Sequence, residues 1–179
     1  MHHSSQMIPI KKGEDPNSYR YMMHPINSQI KGNITSIPNI SEICYDIGRS
    51  QICLRTWYTF SFSSKVRFDT KTNELQLSGK YDSHQLQESL YEFISLFVSC
   101  PTCSNPETTM FIQSNNQLGL QCRACGSSSP VSLKNKIQQK MGSWIVKHLN
   151  TEDLQSHELK DEKPIETLDD FVVPGPDQF

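Results

Sequence analysis

Cys100-Pro-Thr-Cys103, then eighteen residues, then Cys122-Arg-Ala-Cys125-Gly126 is the stretch that decides how this chain folds. Two cysteines separated by two residues fit on one tight turn with both sulfurs facing the same point. Two such turns brought together make the closed tetrahedron of thiolates that a structural zinc takes. The gap between the pairs lies in the range of four-cysteine zinc sites and is long enough for a hairpin. Thr109-Met-Phe-Ile-Gln113 reads as one strand and Leu118-Gly-Leu-Gln121 as the next, with Ser114-Asn-Asn-Gln117 turning between them. Gly126 follows the second pair where the turn favours a residue without a side chain. The reading is a zinc ribbon with Cys100, Cys103, Cys122 and Cys125 as ligands. A redox dithiol would need only one pair, and four thiolates leave no open position for a catalytic water.

Composition bounds the rest. The chain has 179 residues, enough for one ordinary domain and a small one. No run approaches the ~18 apolar residues of a membrane helix. The polar opening Met1-His-His-Ser-Ser-Gln6 does not suggest export, so disulfides are disfavoured and a reducing, cytoplasmic setting is expected. Cys44 and Cys53 then read as buried or half-buried thiols. The net charge of −2 conceals a split: residues 1–150 carry 15 Lys+Arg against 10 Asp+Glu, and residues 151–179 carry 2 against 9. A basic body able to meet RNA is expected, with an acidic, disordered tail over 151–179.

Outward from the cysteines, the expected architecture is α+β: a small α/β domain with an antiparallel hairpin and packed helices, then the zinc ribbon and the acidic tail. Residues 1–24 read as an extended arm, 25–98 as the α/β domain, 99–130 as the ribbon and 131–150 as an amphipathic helix docking on the body. Asn39 and Glu42 form a capping-box pattern for a helix that Gly48 ends, with Ile40, Ile43, Cys44 and Ile47 on one face. Ser50 to Phe62 is rich in aromatics and leans to a second helix. Lys65-Val-Arg-Phe-Asp69 and Glu74-Leu-Gln-Leu-Ser78 alternate with period two and predict a hairpin. Asp82 and Gln85 then cap the clearest helix, whose stripe is Leu86, Leu90, Phe93, Ile94 and Phe97. It runs almost directly into Cys100, which attaches the ribbon rigidly. Beyond the ribbon, Leu133, Ile137, Met141, Ile145 and Leu149 repeat at helical spacing as a core-facing stripe, with lysines between them.

These residues carry a family resemblance over roughly 7–146. Met7-Ile-Pro-Ile10, Asp15-Pro16 and Tyr19-Arg-Tyr-Met-Met-His-Pro25 resemble the opening of the eukaryotic translation initiation factor 5 family. Gly79-Lys-Tyr-Asp-Ser83 and the run from Phe93 through Cys100-Pro-Thr-Cys-Ser-Asn-Pro-Glu-Thr108 resemble that family's junction with its ribbon. The β subunit of initiation factor 2 is similar there too, but the Tyr-Arg-Tyr arm favours the first family.

The resemblance implies a factor that stimulates GTP hydrolysis by initiation factor 2 in the preinitiation complex and is not itself an enzyme. Arg20 matches an arginine finger, with Tyr19 and Tyr21 anchoring it on the γ subunit. The loop Ile30-Lys31-Gly32-Asn33-Ile34 matches one that meets the start codon and initiator tRNA on the small ribosomal subunit. Two further basic positions of the family fall on Thr35 and Thr56, with Arg55 beside the second. Family members usually continue to a helical-repeat domain that binds lysine-rich segments of the β subunit. Here Glu166-Thr-Leu-Asp-Asp-Phe171 echoes such acidic and aromatic elements, so the tail is expected to meet a basic partner. The expected partners are thus both subunits of initiation factor 2, with no membrane and a monomer when alone. The competing reading is a non-catalytic zinc-ribbon scaffold resembling that β subunit, or a plain RNA-binding module.

Overall fold

Asp82 opens the longest helix as its sequence requires. In the computed structural model, which describes residues 6–150 and Leu154, the Gln85 amide donates to the Asp82 carboxylate at 2.8 Å. The Asp82 amide donates back to the Gln85 side chain at 3.2 Å. This reciprocal box satisfies two amide donors that a helix start leaves unpaired. The helix, Ser83–Phe97, buries the expected stripe of Leu86, Leu90, Phe93, Ile94 and Phe97.

That stripe shares one buried core with residues of two earlier helices and a sheet. In chain order the elements are β1 (Ile8–Pro9), β2 (Met22–Met23), β3 (Gln29–Lys31), β4 (Ile34–Ile37), α1 (Ile40–Ile47), α2 (Gln51–Phe62), β5 (Val66–Asp69), β6 (Glu74–Ser78) and α3, the helix just described. The ribbon follows as β7 (Thr108–Ile112), β8 (Leu118–Cys122) and β9 (Ser128–Pro130), and α4 (Lys136–His148) closes the described chain. Strands β3, β4, β6 and β5 form one antiparallel sheet in that order. The predicted hairpin is β5–β6, registered Phe68 to Leu75. The fold class is therefore α+β as expected. The tail predicted over 151–179 lies outside the described residues apart from Leu154.

Local departures have physical causes. Gly48 ends α1 in the left-handed region, φ 63°, as predicted, but Asn39 does not cap its start. The Asn39 side chain instead accepts from the Asn27 amide at 3.1 Å and donates to the Pro25 carbonyl at 2.8 Å. A long-range use displaces the local one, and the Asn39–Glu42 capping box is not made. Helix α2 is ambiguous in sequence because Gln51 through Tyr58 are all buried, which leaves no polar face to reveal a period. Helix α4 turns Gln138, Met141, Gly142, Trp144 and Ile145 inward, while Ile137 faces out at 37% exposure. A strict four-residue repeat advances about 40° per step, so Ile137 rotates off the buried side. Leu133 precedes the helix and packs against Gly142, where an added Cβ would lie 2.3 Å from the Leu133 side chain.

The arm also folds back instead of extending. Ile8 pairs with Met23 and Pro9 with Met22, and Ile10 and Met23 are buried in the core. The Lys12 ammonium pairs with Glu88 on α3. The Tyr91 hydroxyl donates to the Pro9 carbonyl at 3.3 Å.

Body and ribbon share a charged seam. The Arg49 guanidinium, just beyond α1, donates to the Phe97 carbonyl through Nε and Nη2 at 3.0 and 2.7 Å. It donates to the Thr108 carbonyl and hydroxyl at 3.0 and 2.8 Å. Burial pulls its pKa down to about 10. Arg49 thus joins the end of α3 to the first ribbon strand.

Candidate functional site

The ribbon's two cysteine turns are built by backbone geometry. The Cys100 amide donates to the Asn105 carbonyl and the Ser104 amide to the Cys100 carbonyl, both at 2.9 Å. In the second turn the Cys122 amide donates to the Ser127 carbonyl at 2.9 Å and the Gly126 amide to the Cys122 carbonyl at 3.1 Å. The residue after each pair, Ser104 or Gly126, adopts positive φ, 61° and 74°. Glycine takes that conformation freely and serine at some steric cost, so only Gly126 announces its turn in the sequence.

Pairing of β7 with β8 sets Thr108 against Cys122 and so carries the second turn back to the first. All four sulfurs lie within 4.8 Å of one another. Cys100 and Cys125 are 3.7 Å apart, Cys103 and Cys122 3.6 Å. A tetrahedron with metal–sulfur bonds of about 2.3 Å has edges of about 3.8 Å. The spacing fits, and the four cysteines could hold a metal ion.

The surroundings favour thiolate at one edge. Burial opposes ionisation of Cys100, but the nearby Ser127 hydroxyl and the amides of Cys103 and Thr102 outweigh it and bring the thiol down to about 6. At Cys103 the Asn105 backbone favours the thiolate, yet desolvation and the three neighbouring sulfurs push it up to about 12. A cation is what lets all four ionise together.

The second constellation is the arm. Its loop is closed by Asp15, whose carboxylate accepts from the Asn17 amide at 2.9 Å and whose carbonyl accepts from the Tyr19 amide at 2.9 Å. Tyr19 and Tyr21 are half-buried, with ring centroids 6.0 Å apart in an edge arrangement. The Tyr21 hydroxyl hydrogen-bonds Glu107, four residues past Cys103, so the arm is tied to the ribbon as well as the body. Between them Arg20 is exposed, its guanidinium 5.6 Å from the Tyr21 ring centre. No ion pair identified among the described residues engages it. Beside Tyr21 a cleft of about 1010 Å³ opens between the end of α1 and the ribbon, lined also by Tyr45, Asp46, Glu107 and Arg123.

The other candidate residues separate. Lys31, Gly32 and Asn33 form the exposed tip of the β3–β4 hairpin, between Ile30 at 48% and Ile34 at 38% exposure. Gly32 supplies the positive φ of that turn, 62°. Arg55 does not join them at the surface. It is 8% exposed within α2, and Thr35 and Thr56 are buried too. The Thr35 hydroxyl donates to the Gly79 carbonyl at 2.8 Å. Burial makes these three part of the packing as they stand. Sequence reasoning missed Arg49 and Glu107; their partners lie 48 to 86 residues away in the chain, so no local pattern marks them.

Residues 11–128 match the sequence profile of a family described as a domain found in initiation factors 2B and 5. That is more than half of the chain, and the chain belongs to this family. It is similar to proteins named eukaryotic translation initiation factor 5. The one from Caenorhabditis elegans is 33% identical over 123 residues, 66% of this chain and 28% of the relative. The one from Saccharomyces cerevisiae is 30% identical over 134 residues, 73% of this chain and 32% of the relative. A probable initiation factor 5 from Schizosaccharomyces pombe is 29% identical over 168 residues, 91% of this chain and 41% of the relative. The chain spans less than half the length of these curated relatives.

Proposed function

We propose that this family member is a translation initiation factor that accelerates GTP hydrolysis by initiation factor 2 through Arg20, and that the ion held by its four cysteines is zinc. The observation that carries the proposal is the setting of Arg20: an exposed guanidinium on a braced arm. The name shared by its relatives, translation initiation factor 5, supplies the context.

The chemistry suits such a group. Phosphoryl transfer spreads negative charge over three equatorial oxygens, and a guanidinium brought in from a partner neutralises it, worth ~10³–10⁵ in rate. A planar fork holds two oxygens together, which lysine cannot do. Bracing by β1–β2, Lys12–Glu88 and Tyr21–Glu107 means that less backbone freedom is lost when the arm docks. Tyr19 and Tyr21 present their exposed edges to the γ subunit on either side of Arg20.

Zinc fits the donor set of four thiolates and leaves no open position, so its part is structural. Bound there, it closes the ribbon on which Glu107 holds Tyr21. The Lys31-Gly32-Asn33 tip meets the initiator tRNA or mRNA on the small ribosomal subunit, and the setting is cytoplasmic.

The test is single-turnover GTP hydrolysis in reconstituted preinitiation complexes. Arg20→Ala is expected to bind initiation factor 2 nearly as well as the parent and to lose acceleration by orders of magnitude. Arg20→Lys should recover only part of it. An unaltered rate with Arg20→Ala would make the chain a scaffold.

A further inference from the structure

The positive charge of the body is not spread through the fold. Residues 1–107 hold ten Lys+Arg and ten Asp+Glu, whereas residues 108–150 hold five Lys+Arg and no Asp or Glu. Four of those five, Lys134, Lys136, Lys140 and Lys147, lie on α4 or just before it. Lys136, Lys140, Ser143 and Lys147 are spaced four, three and four residues apart, which gathers them on one helix face. At about 100° per residue that face lies roughly opposite the buried one of Met141, Gly142 and Ile145. Lys136, Ser143 and Lys147 are exposed and Lys140 is half-buried. No ion pair identified among the described residues involves any of these lysines.

We infer that this face of α4, with Lys134 at its start, binds the phosphate backbone of RNA without reading its sequence. The stripe from Lys136 to Lys147 is about 17 Å long at 1.5 Å per residue, long enough to lie along several phosphates of one strand. Lysine ammoniums are compact point charges without the planar fork that grips a guanine edge, so the face suits phosphates more than bases. Its chemistry also speaks against an acidic protein segment as the occupant. Gln139 and Ser143 flank the lysines, and Ile137, 37% exposed, stands at the edge of the face about 90° from its centre. No exposed aromatic and no apolar cluster therefore lies among the lysines to seat the anchor that protein interfaces rely on. A phosphate backbone needs only the charges. The surface is separate from Arg20 and does not depend on the role of the arm.

The full chain and its Lys136→Gln/Lys140→Gln/Lys147→Gln variant would be titrated with a labelled single-stranded oligoribonucleotide over a range of salt. Each lysine on a phosphate adds about 0.7 to the slope of log K against log salt, so the variant should lose about two units of slope and about tenfold or more in low-salt affinity. Its metal content and unfolding midpoint should stay unchanged, since none of the three is in the buried face of α4, and Arg20→Ala should bind the RNA like the parent. Equal binding and equal slope in parent and variant would overturn the inference. So would a polyglutamate chain that binds as tightly as the RNA with the same dependence on the three lysines, or carbodiimide crosslinks showing these lysines engaged by the carboxylates of residues 152–170 while RNA affinity is unaffected. Either result would give the face to an acidic segment.

Discussion

The α/β body and the ribbon reach order by different physics. The body buries Trp57, Tyr58, Phe93 and Phe97 with a shell of isoleucines and leucines around them. It follows the area rule of an ordinary hydrophobic core. In the ribbon, Cys100, Leu118, Leu120 and Cys122 are the hydrophobic residues fully buried, and two of these four belong to the four-cysteine cluster that could hold a metal ion. Three short strands with so small an apolar centre are below what folds alone. The contrast leads us to expect one region that tolerates chelators and one that does not, joined by the Arg49 seam.

The largest test of that contrast is in the core. Trp57 packs tilted against Phe93 and edge-on against Phe97, with ring centroids 5.8 and 6.0 Å apart, and donates its indole N–H to the Ser89 carbonyl at 2.9 Å. Trp57→Ala should cost about 3–5 kcal/mol, read in urea unfolding. If the body is independent of the metal, the loss will be the same with and without chelator.

Next in size is the seam. Arg49→Met keeps bulk but leaves the Phe97 and Thr108 carbonyls without their donor, at about 1–3 kcal/mol for each buried acceptor. The expectation is roughly 3 kcal/mol and a split of one unfolding transition into two, ribbon before body. A single, merely shifted transition would show that Arg49 does not couple them.

The smallest effect is local to the body. Asp82→Ala removes one member of the capping box and should lower stability by about 1 kcal/mol, with no change in metal content.

How much can be read from sequence also divides along this line. The ribbon announces itself because its determinant is a spacing between residue types, and the metal requires that spacing whatever surrounds it. Asp82–Gln85 and the alternation in β5–β6 are legible for the same local reason. What escapes is long-range. Asn39 spends its side chain on Pro25 and Asn27 instead of its own helix. The seam of Arg49 and the Tyr21–Glu107 tie join parts of the chain far apart in sequence. Strand β9 is three residues of Ser-Ser-Pro, a composition that resists reading as a strand, and exists because Leu120 and Gln121 offer it a partner. Arg20 stands out by resemblance, but that its arm folds back against core and ribbon is not visible in its polar sequence.

The contrast between a core-built and a metal-built region is tested most directly by residue-resolved hydrogen exchange before and after chelation. With metal removed, the amides of Cys122, Arg123 and Gly126, which bond within the ribbon, should exchange at rates near those of an open chain. Those of α2 and α3 should keep most of their protection, because their core is built from buried apolar side chains and not from the cysteine cluster. Protection retained throughout the ribbon, or lost equally in α2 and α3, would contradict the account.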